Sequence, residues 1–401
     1  MASEISSKEV LDGSFYSLLI EASPSNITPD TASVFTAWDA SRQIPKFIWI
    51  SRESLKKAGL NISAPLFKAA AMADDLMLVL LQTVQSNPAK APELAKRLGG
   101  SLHFSAKQYD LPESIYVTED FVAFGIKDSL IGDGGYARVK KARTLDGKIV
   151  ARRICHKIVE RKICDAAERM IATLQKFQGN PWIIDLLGVC KYKKLSGEYG
   201  TVTFHSLYPQ NLFEVLEPRI KFEKIIQLEL AGQLLKALQS LDGAHGDLKP
   251  ENILVDLDNL KLVLIDLEFY RSNKETGEHI KGSLQWAAPE CFLVDGAAIT
   301  NKLDVWPAGL ILYYLFLTPH YECFPWHGRS PWETLRFLRE IKPDDMQKFL
   351  LKDPLSEHQK VLLCGMIEVD LEKRWTIDAA AAYFQEHIFP GKKAPMDDQK
   401  N

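Results

Sequence analysis

The chain contains 401 residues, with 49 lysines and arginines against 52 aspartates and glutamates, so its formal net charge is −3. Hydrophobic residues make up 46% and charged residues 25% of the chain, which are ordinary values for a folded globular protein. The composition therefore excludes a disordered chain, a collagen and a strongly basic protein that coats nucleic acid, and we expect no nucleic-acid partner.

The six cysteines form no CxxC pair and no cluster with histidine, which favours reduced thiols over a zinc site or a disulfide framework. The first residues are acidic where a secretory leader is basic and then apolar. The longest uncharged apolar stretch, Val305 to Pro319, is too short for a membrane span and predicts a buried core helix. We therefore expect a cytoplasmic protein. A bacterial protein that is delivered into the cytoplasm of a host cell would have the same features, so the sequence does not distinguish these two alternatives.

Residues 1–120 precede the region with recognisable chemistry. Within them, Lys46–Ile50 predicts a short strand, and Ser63-Ala-Pro65 predicts the start of an apolar helix that continues to about residue 85. A short helix is predicted over Ala91–Leu98. No set of residues here has a spacing that implies chemistry. We therefore predict an N-terminal α/β accessory domain of unknown role, with docking of a protein partner as its candidate function.

A different pattern begins near Tyr116. Three β-type runs, separated by turn signals at 132–135 and 145–147, predict an antiparallel sheet. A helix is predicted over 158–177, and leucine-rich helical sequence dominates the rest of the chain. The polar end, residues 391–401, is predicted to be a disordered tail.

The strongest signal for chemistry is the segment His245–Val255, which reads HGDLKPENILV. A second β-type run follows it and ends at Asp266, so two acidic loops lie at the edge of a short hairpin. Phosphoryl transfer needs a carboxylate that orients the attacking hydroxyl, a cation near the transferred phosphate, and oxygen ligands for Mg²⁺. Asp247 provides the carboxylate and Lys249 the cation. Asn252 and Asp266 provide the oxygen ligands.

These motifs resemble the protein kinase superfamily over Phe121–Phe389. HGDLKPEN resembles the catalytic loop of the Ser/Thr branch, and GSLQWAAPE, which ends at Glu290, resembles the end of the activation segment. Asp304–Gly309 resembles the start of the buried helix behind that segment, and Arg374 has the position of an arginine that pairs with Glu290. The resemblance implies an α+β, two-lobed kinase fold over residues 121–390, with a small antiparallel β-sheet lobe and a helical lobe.

The resemblance also implies an ATP site. A glycine-rich loop covers the phosphates, a neighbouring strand borders the nucleotide, and backbone groups of the hinge hold adenine. Glu168 is the candidate partner of the strand cation, with Glu160 as the alternative. The nucleotide-binding residues implied in this way are Ile131, Gly132, Gly134, Val139, Ala151, Arg153, Glu168, His205 and Leu207.

Several residues depart from the family pattern. Arg153 stands where the family has the lysine that grips the α- and β-phosphates, and Ala137 stands where the third glycine of the loop belongs. Gly246 replaces an arginine that reads a phosphorylated activation loop. Glu268 replaces the last glycine of the metal motif, either as a further Mg²⁺ ligand or as a solvated loop residue. The adjacent Arg152 is expected to be a solvated charge.

Three functions are compatible with these residues. The first is a Ser/Thr protein kinase that uses ATP and Mg²⁺ to phosphorylate protein substrates. The second is a small-molecule kinase, since the HGD and DLE motifs also resemble choline and aminoglycoside kinases, although the Ala-Pro-Glu segment favours a protein substrate. The third is a pseudokinase scaffold, which Arg153, Ala137 and Glu268 support and which the intact catalytic loop opposes.

Overall fold

The computed structural model describes residues 32–39, 44–51, 81, 84–97, 101–134, 137–155, 162–193, 199–221, 223–272, 283–292 and 302–390. The chain divides into two compact units. We call the first the sheet unit, formed by Met1–Cys164 and Leu186–Leu207, and the second the helical unit, formed by Asp165–Asp185 and Tyr208–Asn401.

The sheet unit contains a two-stranded antiparallel pair and a seven-stranded antiparallel sheet, whose order is β3-β4-β5-β6-β7-β9-β8. The predicted strand at Lys46–Ile50 lies within the pair and is confirmed, as is the short helix that begins at Ala91. The elements are β1 (Ala32–Asp39), β2 (Ile44–Ser51), α1 (Ala91–Arg97), β3 (Leu102–Phe104), β4 (Ile115–Val117), β5 (Val122–Asp133), β6 (Ala137–Thr144), β7 (Ile149–Cys155), β8 (Leu186–Lys193) and β9 (Tyr199–Ser206).

Strands β3 and β4 precede residue 121 and belong to the same sheet as the strands that follow it. The predicted accessory domain over residues 1–120 and its boundary stay predictions. Most of the helix predicted from Ser63 lies outside the described residues, although residues 81 and 84–86 are helical.

The two edges of the seven-stranded sheet are bridged by hydrogen bonds. The hydroxyl of Ser101, just before β3, donates to the Lys191 carbonyl on β8 at 3.1 Å and accepts the Lys191 N–H at 2.7 Å. The Cys190 thiol donates to the Leu102 carbonyl at 3.4 Å. These contacts connect the first strand of the sheet to the last, and they enclose one of its faces.

The enclosed face holds the core of the sheet unit. Side chains alternate between the two faces of a strand, so Val150, Arg152 and Ile154 on β7 share one face, while Ala151 and Arg153 share the other. The core cluster on the first face consists of Tyr116, Ala123, Ala142, Val150, Cys190, Val202 and Phe204, with Phe121, Ile154 and Leu187 packed against it.

Arg152 is buried in this core, with 5% of its surface exposed, so the expectation of a solvated charge is wrong. Its Nη1 donates to the Tyr116 hydroxyl at 3.1 Å, and the guanidinium lies 5.1 Å from the centre of the Tyr116 ring. Among the described residues, its Nε has no hydrogen-bond partner. Gly125 provides the space, because a Cβ there would lie 1.8 Å from Nη1.

The helical unit contains most of α2 and the elements that follow β9. The helix predicted over 158–177 is confirmed in its described part. The elements are α2 (Lys162–Lys176), β10 (Gln210–Asn211), α3 (Leu212–Leu216), α4 (Lys224–Gln239), β11 (Gly243–Ala244), β12 (Ile253–Asp256), β13 (Lys261–Leu264), β14 (Arg271–Ser272), α5 (Lys302–Leu317), α6 (Pro331–Glu340), α7 (Pro343–Leu351), α8 (Glu357–Met366) and α9 (Ile377–Tyr383).

Local sequence explains where several of these helices begin. Ser330 accepts the N–H of Glu333, whose carboxylate accepts the Ser330 N–H in return, so α6 starts with a capping box. Ser356 and Gln359 form the same reciprocal pair at the start of α8. Each pair satisfies backbone N–H groups that have no partner within the first turn of a helix.

Helix α5 is the central helix of the helical unit. It is 16 residues long, and nearly all of its side chains are buried, from Asp304 to Leu317. The apolar stretch at Val305 is therefore a core helix, as its length predicts. None of the helices in the described part of the chain has the length and apolar character that crossing a bilayer requires.

The contact between Gly125 and Arg152 can be measured with a double-mutant cycle. Gly125→Ala should lower the free energy of unfolding by about 2 kcal/mol, because the new methyl group overpacks the guanidinium. In the Arg152→Met background the same change should cost close to nothing, which gives a coupling of about 1 to 3 kcal/mol. Urea denaturation measures both values. Gly132→Ala is the control, because no atom lies within 4 Å of the Cβ that it would add. Equal costs of Gly125→Ala in the wild-type and Arg152→Met backgrounds would contradict the contact between Gly125 and Arg152.

His103 should make the stability of the sheet unit depend on pH. Burial, aided by the charge of Arg152, lowers the pKa of His103 to about 4. As the pH falls below 6.5, His103 binds a proton in the unfolded chain but not in the folded chain. The contribution of neutral His103 to the free energy of unfolding is therefore present in full above pH 6.5 and is lost as the pH falls towards 4. We expect a loss of about 3 kcal/mol over that window, measured by urea denaturation.

The control for this loss is His103→Phe, which keeps a ring to stack on Tyr116, now at a centroid distance of 4.5 Å. The variant should lack this part of the pH dependence, because phenylalanine does not titrate. Parallel stability profiles of the two proteins between pH 7 and pH 4 would show that His103 is not the group responsible.

Candidate active site

The segment that contains Asp247 is fixed from inside the helical unit. The carboxylate of Asp304, near the start of α5, accepts the N–H of His245 at 2.5 Å and the N–H of Gly246 at 3.1 Å. Asp304 is fully buried, and this burial raises its pKa. The His245 ring donates from Nε2 to the Ile265 carbonyl at 2.9 Å, so it braces the loop against the segment before Asp266.

Asp247 lies at the centre of a compact polar cluster and is 7% exposed. Its Oδ1 accepts the N–H of Ser283 at 2.7 Å. Its Oδ2 accepts from the ammonium of Lys249 at 2.7 Å and from Nδ2 of Asn252 at 3.2 Å. The Lys249 ammonium also donates to the Ser283 hydroxyl at 2.7 Å. The structure thus brings together a carboxylate, a cation and a hydroxyl-bearing loop.

Asn252 and Asp266 are neighbours because of the β12–β13 hairpin. The Ile265 N–H, one residue before Asp266, donates to the Asn252 carbonyl at 3.0 Å. The side-chain Nδ2 of Asn252 is held by the Asp247 carbonyl at 2.8 Å as well as by its carboxylate. This anchoring uses the amide nitrogen and not the amide oxygen. An amide oxygen and a carboxylate are hard oxygen donors, so this pair fits a Mg²⁺ ion.

Asp266 has a left-handed backbone conformation, with φ 61° and ψ 53°. Such a conformation is uncommon for a residue other than glycine, and aspartate tolerates it better than most. Two residues later, Glu268 is 6% exposed. The alternative of a solvated loop residue at Glu268 is therefore wrong, while its role as a metal ligand stays a prediction.

Gly246 has a packing role that the sequence alone did not reveal. Its φ is +83°, and a Cβ there would lie 2.7 Å from the Phe269 carbonyl oxygen. Glycine meets both requirements because it lacks a Cβ. The neighbouring Gly243 allows the same close approach, since a Cβ would lie 2.0 Å from the Arg271 carbonyl oxygen. The segment after Asp266 therefore packs directly on the backbone around Asp247.

The predicted pair of Arg374 and Glu290 is present. The guanidinium donates to the two carboxylate oxygens of Glu290 at 2.5 and 2.8 Å, and the Arg374 side chain is fully buried. The same arginine donates from Nε to the Glu368 carbonyl at 2.8 Å. This bidentate pair fixes the end of the segment that contains Ser283.

The predicted nucleotide-binding residues of the sheet unit occupy adjacent strands. Gly132 on β5 pairs with Val139 on β6, which pairs with Arg153 on β7. Ala151 on β7 pairs with His205 on β9. Directly opposed residues of an antiparallel sheet point to the same face, so these five residues share the face opposite the enclosed core.

The remaining predicted residues lie at the ends of these strands or in the helical unit. Ile131 is exposed on β5, Gly134 follows β5, and Leu207 follows β9. Glu168 is half-buried on α2, and its pairing with Arg153 stays a prediction. The alternative partner, Glu160, lies outside the described residues.

Sequence reasoning assigned no role to Asp304, although one signal was present. An aspartate at the start of an otherwise apolar helix is rarely buried without partners. Ser283 lies in the segment GSLQWAAPE, but its contacts with Asp247 and Lys249 could not be predicted because they depend on the folding of distant segments. In the described residues, no group of three His, Cys, Asp or Glu side chains could hold a metal ion.

Comparison with known proteins identifies the family of the chain. A model of the protein kinase domain matches residues 126–385. The chain is 28% identical over 291 residues to the phosphorylase b kinase gamma catalytic chain, liver/testis isoform, of Mus musculus, with 68% of each chain covered. It is 27% identical over 278 residues to the serine/threonine-protein kinase RAD53 of Saccharomyces cerevisiae, with 64% of this chain and 32% of the relative covered.

A third relative is the serine/threonine-protein kinase chk1 of Schizosaccharomyces pombe, which is 26% identical over 266 residues, with 62% of this chain and 50% of the relative covered. The chain belongs to the protein kinase family, and the predicted superfamily and kinase fold, with a β-sheet lobe and helical segments, are confirmed. The chain spans between about a third and two thirds of the length of these relatives.

Asp304→Asn tests whether the buried carboxylate fixes the loop. The amide keeps the shape but replaces one acceptor oxygen by a donor, which then faces a backbone N–H group. We expect a loss of about 1 to 3 kcal/mol in the free energy of unfolding. Thermal or urea denaturation measures the loss. Asp353→Asn is the control, because Asp353 accepts one hydroxyl bond, from Tyr313 at 3.1 Å; equal losses for both variants would contradict the special role of Asp304.

Proposed function

We propose that this chain is an ATP-dependent Ser/Thr protein kinase that transfers the γ-phosphate of Mg-ATP to protein hydroxyls. The observation that supports this proposal most strongly is the cluster of Asp247, Lys249, Asn252 and Ser283. It brings together a carboxylate, an ammonium group, an amide whose oxygen can bind a metal ion, and a loop that carries a hydroxyl. Phosphoryl transfer depends on positioning and charge stabilisation more than on covalent chemistry, and this cluster supplies both.

Three residues of the cluster and three residues outside it have proposed roles. Asp247 orients the acceptor hydroxyl and takes up its proton, while Lys249 stabilises the charge on the transferred phosphate. Asn252 and Asp266 hold Mg²⁺, which when bound neutralises charge on the phosphates. Arg153, paired with Glu168, anchors the α- and β-phosphates. Because arginine is planar and permanently charged, it can bind a phosphate through two hydrogen bonds.

The other proposed contacts hold the rest of the nucleotide. Backbone groups at Ile131, Gly132 and Gly134 approach the phosphates. Val139, Ala151 and the hinge around His205 and Leu207 border the adenine ring. These roles follow from the match of each position to the family pattern, and the shared sheet face supports them.

A protein substrate is favoured over a small molecule by a cavity next to the cluster. It has a volume of about 290 Å³ and is bordered by Lys249 and Ser283. Its wall includes Gln285, whose carbonyl accepts from Trp326 Nε1 at 2.9 Å and from His327 Nε2 at 3.1 Å. Four of its lining residues, 283–286, belong to the segment that ends in Ala-Pro-Glu, and that segment is the feature of the sequence that favours a protein substrate.

The proposal also includes the setting of the kinase. A reducing, cytoplasmic compartment is supported by the five cysteines whose side chains are described, since none of them forms a disulfide. Residues 1–120 would form an accessory domain that docks a protein partner, and residues 391–401 would form a disordered tail.

Asp247→Asn tests the proposed function. Wild-type protein should transfer labelled γ-phosphate from Mg-ATP to serine or threonine of itself or of a generic basic protein. The variant should lose at least about 100-fold in rate, because the amide cannot accept the proton. It should keep the thermal shift caused by Mg-ATP, because Asn252 and Asp266 are intact. Asp378→Asn, which changes an exposed carboxylate bonded to Gln239 at 2.8 Å, is the control.

The other outcomes separate the alternatives. Transfer to choline or an aminoglycoside, with none to protein, would identify a small-molecule kinase. A thermal shift without any transfer would identify a pseudokinase that binds nucleotide. A wild-type protein with neither transfer nor thermal shift would contradict the catalytic proposal altogether.

A further inference from the structure

Three side chains outside the proposed active site form a compact polar contact, which we call the clamp: Lys176, Asp242 and Tyr270. The Lys176 ammonium lies 2.7 Å from both carboxylate oxygens of Asp242 and 2.9 Å from the Tyr270 hydroxyl. The Tyr270 hydroxyl donates to the Asp242 carboxylate, which closes the triangle. Each member therefore contacts both of the others.

The clamp connects three segments that are distant in sequence. Lys176 is the last residue of α2, and Asp242 lies immediately before β11. Tyr270 lies between the turn Leu267–Phe269 and β14. Since β11 leads into Asp247 and the turn follows Asp266, the clamp touches the two segments that carry the proposed base and the proposed metal ligand.

Charge and aromatic packing hold the clamp together. Burial acts to lower the pKa of Lys176, but its bonds to Asp242 and Tyr270 outweigh this effect and raise the pKa. Burial and the bond to Asp242 raise the pKa of Tyr270, so its hydroxyl stays protonated and can donate. The Tyr270 ring meets Phe177 edge to face, with centroids 5.4 Å apart.

The backbone between Asp266 and the clamp is short and tightly packed. The Tyr270 N–H donates to the Leu267 carbonyl at 3.2 Å, which closes the turn that starts after Asp266. Beyond the clamp, β14 pairs with β11, with Gly243 opposite Ser272. A shift of Tyr270 would therefore move the turn and, with it, the left-handed residue that precedes the turn.

From this geometry we propose that Lys176, Asp242 and Tyr270 are positioning residues for Asp266. The clamp fixes the segment after Asp266 to α2 and to the strand before Asp247. Only Tyr270 belongs to that segment, while Lys176 holds it from the end of α2 and Asp242 from the residue before β11. The expected effect of the clamp on the Mg²⁺ dependence of phosphate transfer rests on the proposed function, whereas its effect on the segment after Asp266 does not.

The test uses the full chain and two variants, Tyr270→Phe and Lys176→Met. The first removes one hydroxyl and keeps the ring, and the second removes the charge and keeps most of the stem. In both, the amides of residues 267–272 should exchange with deuterium about three- to tenfold faster than in the wild type, because a support of that segment is lost. Mass spectrometry of the exchanged peptides gives the rates.

The kinetic readout is the Mg²⁺ concentration that gives half the maximal rate of phosphate transfer. It should rise about threefold or more in both variants, because Asp266 is held less firmly, while KM for the acceptor protein stays unchanged. The matched control is Tyr321→Phe, which removes a hydroxyl that donates to the Leu216 carbonyl at 3.0 Å. The control should change neither exchange in 267–272 nor the Mg²⁺ requirement.

Two results would overturn the inference. Unchanged exchange in residues 267–272 would show that the clamp does not hold that segment. Faster exchange with an unchanged Mg²⁺ requirement would show that the clamp holds the segment but does not position Asp266. If the wild-type chain transfers no phosphate, the proposed function fails on its own, and the exchange rates still decide whether the clamp holds the segment.

Discussion

The carboxylate of Asp304 accepts two successive backbone N–H groups, and the proposed active site depends on this interaction. Because His245 and Gly246 are both held, the direction of the chain at Asp247 is set from the core helix α5. A fully buried carboxylate is costly unless donors surround it, so the loop and the helix stabilise each other. The site is thus anchored to the most deeply buried helix of the helical unit.

A chain of hydrogen bonds that starts at Asp247 fixes the positions of the neighbouring residues. Its carboxylate fixes Ser283 and Lys249, and its carbonyl fixes the amide of Asn252. The Asn252 carbonyl then holds the N–H of Ile265, next to Asp266. Such a connected network is either satisfied as a whole or weakened as a whole, because each buried group that loses its partner keeps the full cost of burial.

The residues of this network could be predicted because they are close in sequence and have a distinctive order. Asp247, Lys249 and Asn252 lie within six residues of one another, and Asp266 ends the next strand. Side chains alternate along β7, so Arg153 and Arg152 lie on opposite faces of the sheet. What alternation could not show is that the Arg152 face is enclosed. That depends on the bridge between Ser101 and Lys191, which are 90 residues apart.

Gly246 and Glu268 illustrate the same limit in the helical unit. Relative to the family pattern, the sequence has a glycine in place of an arginine and a glutamate in place of a glycine, and it indicated no packing reason for either change. In the folded chain, Gly246 permits the close approach of the Phe269 carbonyl, and Glu268, in the same turn, is buried. The two positions thus belong to one packing arrangement between the Asp247 loop and the turn after Asp266. A side chain at position 246 would separate the two segments, so the loss of the arginine and the direct backbone packing are two aspects of one structural solution.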